Sequence, residues 1–246
     1  RDNHRIQKVT NEPQIIIPAG QTSATLTITG TDDAIDESDE TIILTPTASG
    51  AVLASSDAIS IALTDNDLPP VVASVNATTA DGPYKEGQVI AITVTFDKAV
   101  TVTGTPQLTL ETGSSDAVVD YASGTGTTTL TFNYTIGSGQ NSADLDYVAT
   151  TSLALNSGTI TETGGTSDVT LTLPAPGATN SLGANKALVI DTTVPTMSIT
   201  ATNGTSAVDD GSSSNAILTV TFTSSEATTD FAEADITVSG GAISNF

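Results

Sequence analysis

The chain has 246 residues, with 28 acidic side chains against 6 basic ones and a net charge of −22; that balance repels nucleic acid and anionic membrane surfaces and makes them poor partners. It has no Cys and no Trp, and aromatic residues make up 4%, so disulfides and thiol chemistry are excluded and the cores must come mainly from Val, Ile, Leu and Ala. No apolar stretch approaches the roughly 20 residues of a membrane-spanning helix.

In chain order, residues 1–15 are mixed and polar and carry the only histidine, His4. Strands are predicted at 14–17, 24–29, 41–46 and 58–63. The second, Ser23-Ala24-Thr25-Leu26-Thr27-Ile28-Thr29, alternates apolar and polar side chains as a half-buried strand does. Between it and the third lies the run Thr31–Thr41, in which six of the nine residues from Asp32 to Glu40 are carboxylates with no base among them. Such a run repels itself unless solvent or a cation screens it. Its place at a strand-to-strand connection gathers oxygen ligands at one end of a sheet, and oxygen in quantity suits Ca2+, which takes about six to eight. The other reading is a solvated acidic loop on a halophilic or marine surface protein.

Asp67-Leu68-Pro69-Pro70 reads as a linker, because paired prolines hold the chain extended and cannot join a central ladder. The module from Val71 to about Asp191 has the clearest strands. Ile90, Ile92, Val94 and Phe96 alternate with small or polar residues, and so do Leu130, Phe132, Tyr134 and Ile136. Shorter strands are expected at 107–111, 117–121, 152–156, 169–173 and 187–190. Turns rich in Gly and Ser separate them, the spacing of an all-β sandwich. Asp191-Thr192-Thr193-Val194-Pro195 opens a third module with strands at 196–201, 216–223 and 235–239. Modules two and three are tandem: Val94-Thr95-Phe96 recurs 126 residues on as Val220-Thr221-Phe222, while Asp67 and Asp191 are 124 apart and Pro70 and Pro195 are 125 apart.

Family resemblances follow from these motifs. Ile17-Pro18-Ala19-Gly20-Gln21-Thr22-Ser23, then Asp32-Asp33, Glu37 and Glu40, then Thr64-Asp65-Asn66-Asp67, resembles the second half of a Calx-beta domain, an immunoglobulin-like sandwich that binds Ca2+ at one pole. The resemblance implies ligands at Asp32, Asp33, Glu37, Glu40, Asp65 and Asp67. Gly82-Pro83-Tyr84-Lys85-Glu86-Gly87, Phe96-Asp97, Gly104–Leu110 and Asp144-Leu145-Asp146-Tyr147 resemble the putative flagellar-system-associated repeat of giant bacterial surface proteins. Thr192–Phe246 is similar to the bacterial Ig-like repeats of large adhesins. The organisation expected is thus all-β tandem Ig-like sandwiches: 1–67 Calx-beta-like and lacking its opening strands, 68–191 Ig-like, and 192–246 Ig-like and lacking its closing strands. Either the chain is a window on a longer array, or neighbouring copies complete each other by strand donation.

A second calcium candidate lies at the linkers. Asp65 and Asp67 end one module where Glu86 and the Asp144/Asp146 pair of the next could approach, and Asp191 repeats the arrangement toward Asp209, Asp210 and Glu226. Ordinary polar linker residues are the equal alternative. Catalysis has little to work with: His4 has no Ser-His-Asp context, and the Asp144/Asp146 pair lacks the tryptophan platform a glycosidase needs. The expectation is therefore no enzyme but a calcium-stiffened structural segment of a large secreted or cell-surface bacterial protein, an adhesin stalk, surface layer or filament. Its partners would be neighbouring modules or copies and a cell-surface or matrix ligand. The alternative is a carbohydrate- or ligand-binding module of an adhesin.

Overall fold

The computed structural model describes residues 15–28, 33–47, 57–165, 167–202, 207–208, 218–227 and 231–244. The chain divides into two units, Arg1–Thr192 and Thr193–Phe246. Residues on both sides of the expected linker at 67–70 belong to the first.

The first unit opens with an antiparallel pair, β1 (Glu40–Leu44) and β2 (Ile59–Leu63), in register from Glu40↔Leu63 to Leu44↔Ile59. There follow β3 (Val72–Ala77), β4 (Gly82–Tyr84), β5 (Val89–Thr103), β6 (Gln107–Glu111), β7 (Ala117–Ser123), β8 (Thr127–Thr135), β9 (Asp146–Tyr147), β10 (Leu153–Ala154), β11 (Thr159–Glu162), the short helix α1 (Leu182–Asn185) and β12 (Leu188–Ile190).

Strand β5 organises the rest. Ile90, Ile92, Val94 and Phe96 are buried and the residues between them only half so, because side chains alternate across a pleated strand and one face is dry. This half pairs with β3 on one edge and β8 on the other, Ile92 facing both Ala77 and Phe132. A bulge between Thr95 and Val100 bends the strand, and its second half pairs with β11 from Val100↔Glu162 to Thr103↔Thr159. β7 turns in the same way: it joins β6 through Leu110↔Ala117 and β8 through Tyr121↔Phe132. One sheet, in the order β10-β6-β7-β8-β5-β11, thus curls round one core. Leu108, Leu110 and Val119 from the β6–β7 flank share that core with Ile90, Leu130 and Phe132 from the β5–β8 flank. β12 runs parallel to β4, from Leu188↔Gly82 to Ile190↔Tyr84.

Three expected strands of this unit, at 14–17, 24–29 and 169–173, take another form. Residues 15–28 make no strand, and Leu26 and Ile28 stay 40% and 42% exposed; alternation marks a face, but a ladder also needs a neighbour, and no described strand lies beside them. Residues 169–173 supply only the single bridge Val71↔Thr170, with a second, Thr161↔Asp168, just before them. The linker is anchored: Pro70 is buried and its carbonyl accepts the Thr170 N–H at 2.9 Å.

In the second unit β13 (Met197–Thr202) is central, flanked by β14 (Ala207–Val208) and β15 (Thr219–Ser224). β13 and β15 run in register from Met197↔Ser224 to Thr202↔Thr219. Phe222 of β15 packs on Phe231 with ring centroids 5.2 Å apart. The strand expected at 235–239 is replaced by a 3-10 turn at Glu233–Asp235 and irregular chain after it. There the Asp235 carboxylate accepts the Ala232 N–H at 2.9 Å, a local bond that competes with ladder pairing.

Candidate functional site

The acidic run lies where residues 33–39 lead into β1, and Asp65 follows the end of β2. Because β1 and β2 are antiparallel and pair Glu40 with Leu63, the topology brings the run and the terminal acids to the same end of that pair. Their contact is made through backbone. Asp65 Oδ2 accepts the Glu37 N–H at 2.8 Å, and the Asp65 N–H donates to Asp39 Oδ1 at 3.0 Å. Asp65 Oδ1 takes the Asp67 N–H at 3.4 Å. The Glu37 N–H, and after it those of Asp67 and Asn66, hold the Asp65 carboxyl below the usual aspartate range, against a smaller opposing effect of desolvation. Asp33 accepts the Ile35 N–H at 2.9 Å, a tight turn closed by its own side chain. Glu40 is exposed at the start of β1. Asp32 lies outside the described residues. Among the described residues, no three acidic or histidine side chains are gathered closely enough to hold a metal ion.

The same loop is fastened to the curled sheet. Asp36 is gripped at both backbone groups: its N–H donates to Glu162 Oε2 at 3.0 Å, and its carbonyl accepts the Ser167 hydroxyl at 2.9 Å. Glu162 is 4% exposed at the end of β11. Its other oxygen, Oε1, lies 3.2 Å from the Lys98 ammonium, which also donates to the carbonyls of Ala34 at 2.9 Å and Leu68 at 2.8 Å. Ile35 lies over Gly164 and Gly165, where a Cβ on Gly165 would come within 2.8 Å of Ile35 Cγ2. Gly164 has φ 97°, a left-handed conformation that glycine adopts without strain.

Glu86, Asp144, Asp146 and Asp191 lie elsewhere in the first unit. Glu86 is exposed in the turn before β5, whereas the linker runs beside the other end of that half-strand, with Val72 opposite Phe96. At about 3.3 Å per residue that separates Glu86 from the linker acids by roughly 25 Å or more. Asp144 and Asp146 sit together beside α1. Asp146 accepts the N–H groups of Gly177 and Tyr147, both at 2.9 Å, and burial, with the Asp146 charge behind it, raises the Asp144 carboxyl above its usual range. Asp191 follows β12 and donates its N–H to the Tyr84 carbonyl at 3.0 Å. Asp209 and Asp210 lie outside the described residues. Glu226 belongs to the second unit, where its N–H meets the Ser224 hydroxyl oxygen at 3.4 Å. The structure therefore joins Asp65 to the run at Glu37 and Asp39, leaves Glu86 away from them, and sets the Asp144/Asp146 pair beside α1.

Sequence reasoning missed Lys98, Glu162 and Ser167. One signal was available for the first: in a chain with 6 bases, a lysine that interrupts the alternation just after Phe96 stands out. No curated protein and no solved structure matches the chain. Modules of the bacterial Ig-like kind are common in surface and extracellular proteins, and the match to that family does not extend to the Calx-beta resemblance of residues 1–67. Residues 191–246 match the family model of the bacterial Ig-like domain.

Proposed function

We propose that this chain is a load-bearing segment of a large secreted or cell-surface bacterial protein, and that its acidic loop binds Ca2+. The repeat-module half of this reading rests on the match of residues 191–246 to the bacterial Ig-like domain. One observation favours calcium: the Asp65 carboxylate accepts the Glu37 N–H and the Asp65 N–H donates to the Asp39 carboxylate, so carboxylates far apart in sequence are kept at one end of the β1–β2 pair. The donors are all oxygen, the chemistry a hard cation selects. Asp32, Asp33, Glu37, Glu40, Asp65 and Asp67 would hold the ion, which would supply the positive charge needed to draw these acids together against their mutual repulsion. A segment stiffened in this way extends a functional tip or coats a cell, as an adhesin stalk, surface layer or filament does.

Calorimetry tests the metal. Calcium should bind with a dissociation constant on the order of 10⁻⁴ to 10⁻³ M, the range of extracellular modules. Asp33→Ala and Glu37→Ala should each weaken binding at least tenfold. Absent heat, or heats unchanged in both variants, would overturn the calcium reading.

A further inference from the structure

We propose that the join between the acidic loop and the curled sheet is fastened by a resident cation of the protein's own, the Lys98 ammonium, and needs no metal. The inference goes beyond the proposed function and stands whether or not the loop takes calcium. Its basis is the stoichiometry at Nζ. A lysine ammonium has three donors and no acceptor. Here it meets three oxygens from three separate parts of the chain: the Ala34 carbonyl in the acidic loop, the Leu68 carbonyl in the linker, and Glu162 Oε1 on β11, at 2.9, 2.8 and 3.2 Å. Two carbonyls and a carboxylate are also the ligands a hard cation would choose, so the ammonium fills the role the sequence led us to expect of a bridging ion.

The cost of burying charge argues in the same direction. Glu162 is 4% exposed, and an unpaired carboxylate at that depth is expensive. Both its oxygens are used, Oε1 by Lys98 and Oε2 by the Asp36 N–H. Lys98 thus gives the Glu162 carboxylate its charge partner and holds it in place, and Glu162 in turn holds the loop backbone. Ser167 secures the next peptide of the same residue by donating to the Asp36 carbonyl. Loop, linker and sheet are tied through one nitrogen and one carboxylate. Removing the nitrogen should release all three, because a buried pair that loses one partner leaves the other uncompensated.

Hydrogen exchange at the Asp36 amide, followed in EDTA so that calcium plays no part, reads this directly. In the unaltered chain that amide should stay protected. Lys98→Met keeps most of the apolar stem and removes the charge, and should speed Asp36 exchange at least tenfold while amides of β5 and β8 keep their protection. Glu162→Gln, which retains a carbonyl acceptor but not the charge, should speed it by a smaller factor. A third measurement needs no variant: nitrogen-15 spectra should show slowly exchanging ammonium protons on Lys98 and none on the exposed Lys85. An Asp36 amide already unprotected in EDTA, exchange unchanged by Lys98→Met, or a Lys98 ammonium exchanging as fast as that of Lys85 would each overturn the proposal. Should Lys98→Met fail to fold, Glu162→Gln and the ammonium spectrum decide it.

Discussion

The β5–β8 sheet and the residues before Pro70 carry the same sequence pattern, and the structure treats them differently. Ile90, Ile92 and Val94 alternate with small or polar residues and are 0% exposed; Ile59 and Ile61 alternate likewise on β2 and are 58% and 43% exposed. Alternation gives a strand two unlike faces, but burying the apolar one takes a second layer. β5 and β8 have that layer because their sheet curls until β6 and β7 lie on the same core. β1 and β2 form a two-stranded ribbon, and a lone hairpin is marginal in water. Polar anchorage fills the gap. The segment before Pro70 is held to the sheet through Asp36, Ala34 and Leu68, all of which offer backbone groups to Glu162, Ser167 and Lys98. One region is stabilised by area removed from water, the other by a few charged and directional contacts.

Truncation in each region should break the symmetry of sequence most sharply. Phe132 is fully buried, packs edge-on to Tyr121 at 6.2 Å between ring centroids, and lies at the centre of the core. Phe132→Ala should cost about 3–5 kcal/mol, a large fraction of a domain's stability. Ile61→Ala, at an equivalent place in its own alternation, should cost about 1 kcal/mol or less, since much of that side chain is already in water. Urea denaturation followed by circular dichroism measures both. Equal losses would mean that the ribbon carries a core of its own.

A smaller effect, confined to the anchorage, is expected from Gly165→Val. Gly165 has no left-handed φ to protect, so the substitution acts through space. Its Cβ would press on Ile35 Cγ2 at 2.8 Å and on the Asp36 carbonyl at 3.3 Å. Overpacking of this kind costs about 1–3 kcal/mol, and here lifting residues 33–36 off the sheet relieves it. Limited proteolysis should then cut within 33–40 sooner, while the β5–β8 core resists as before. A cleavage pattern identical to that of the unaltered chain would show that Ile35 is not a packed contact.

The same contrast decides what could be read before the structure. The strands at 90–96 and 129–136 were legible because burial on one face imposes a two-residue period, and β6, β7 and β12 followed from turn spacing. Asp65 comes beside the acidic run only through the Calx-beta resemblance; the β1–β2 pairing that brings them to one end does not follow from the strands themselves. Lys98 and Glu162 were not legible either: a lysine after an alternating strand and a glutamate in Thr159-Ile160-Thr161-Glu162-Thr163-Gly164-Gly165 look like surface residues until the curl of the sheet puts them under the loop. The strand expected at 24–29 failed for the converse reason. Its pattern is local, whereas its ladder depends on a neighbour that no local pattern specifies.

Two carboxylates, one in each region, should respond to acid with opposite signs. Asp65 is held below its ordinary value of 3.8, first by the Glu37 N–H and then by those of Asp67 and Asn66. In the unfolded chain those donors are gone, so between the depressed folded pKa and 3.8 the unfolded state binds more protons. Stability from Asp65 is therefore complete above the unfolded value and is lost as pH falls through the folded one. Asp144 is raised above 3.8 by burial, with the Asp146 charge adding to it. There the folded state takes the proton first, so the destabilisation is complete above the raised folded pKa and is shed as pH falls through it toward the unfolded value. Neutral substitutes separate the two. Asp65→Asn should lower stability at pH 7 and flatten its decline below pH 4, with the loss seen as faster exchange at Glu37. Asp144→Asn should raise stability at pH 7 slightly and match the unaltered chain near pH 3, with no change in exchange at Glu37. Both groups are largely exposed, so solvent screening keeps the effects small, and the sign is what the measurement reads. A lower neutral-pH stability for Asp144→Asn would show that its carboxylate takes part in a favourable contact outweighing the burial beside α1.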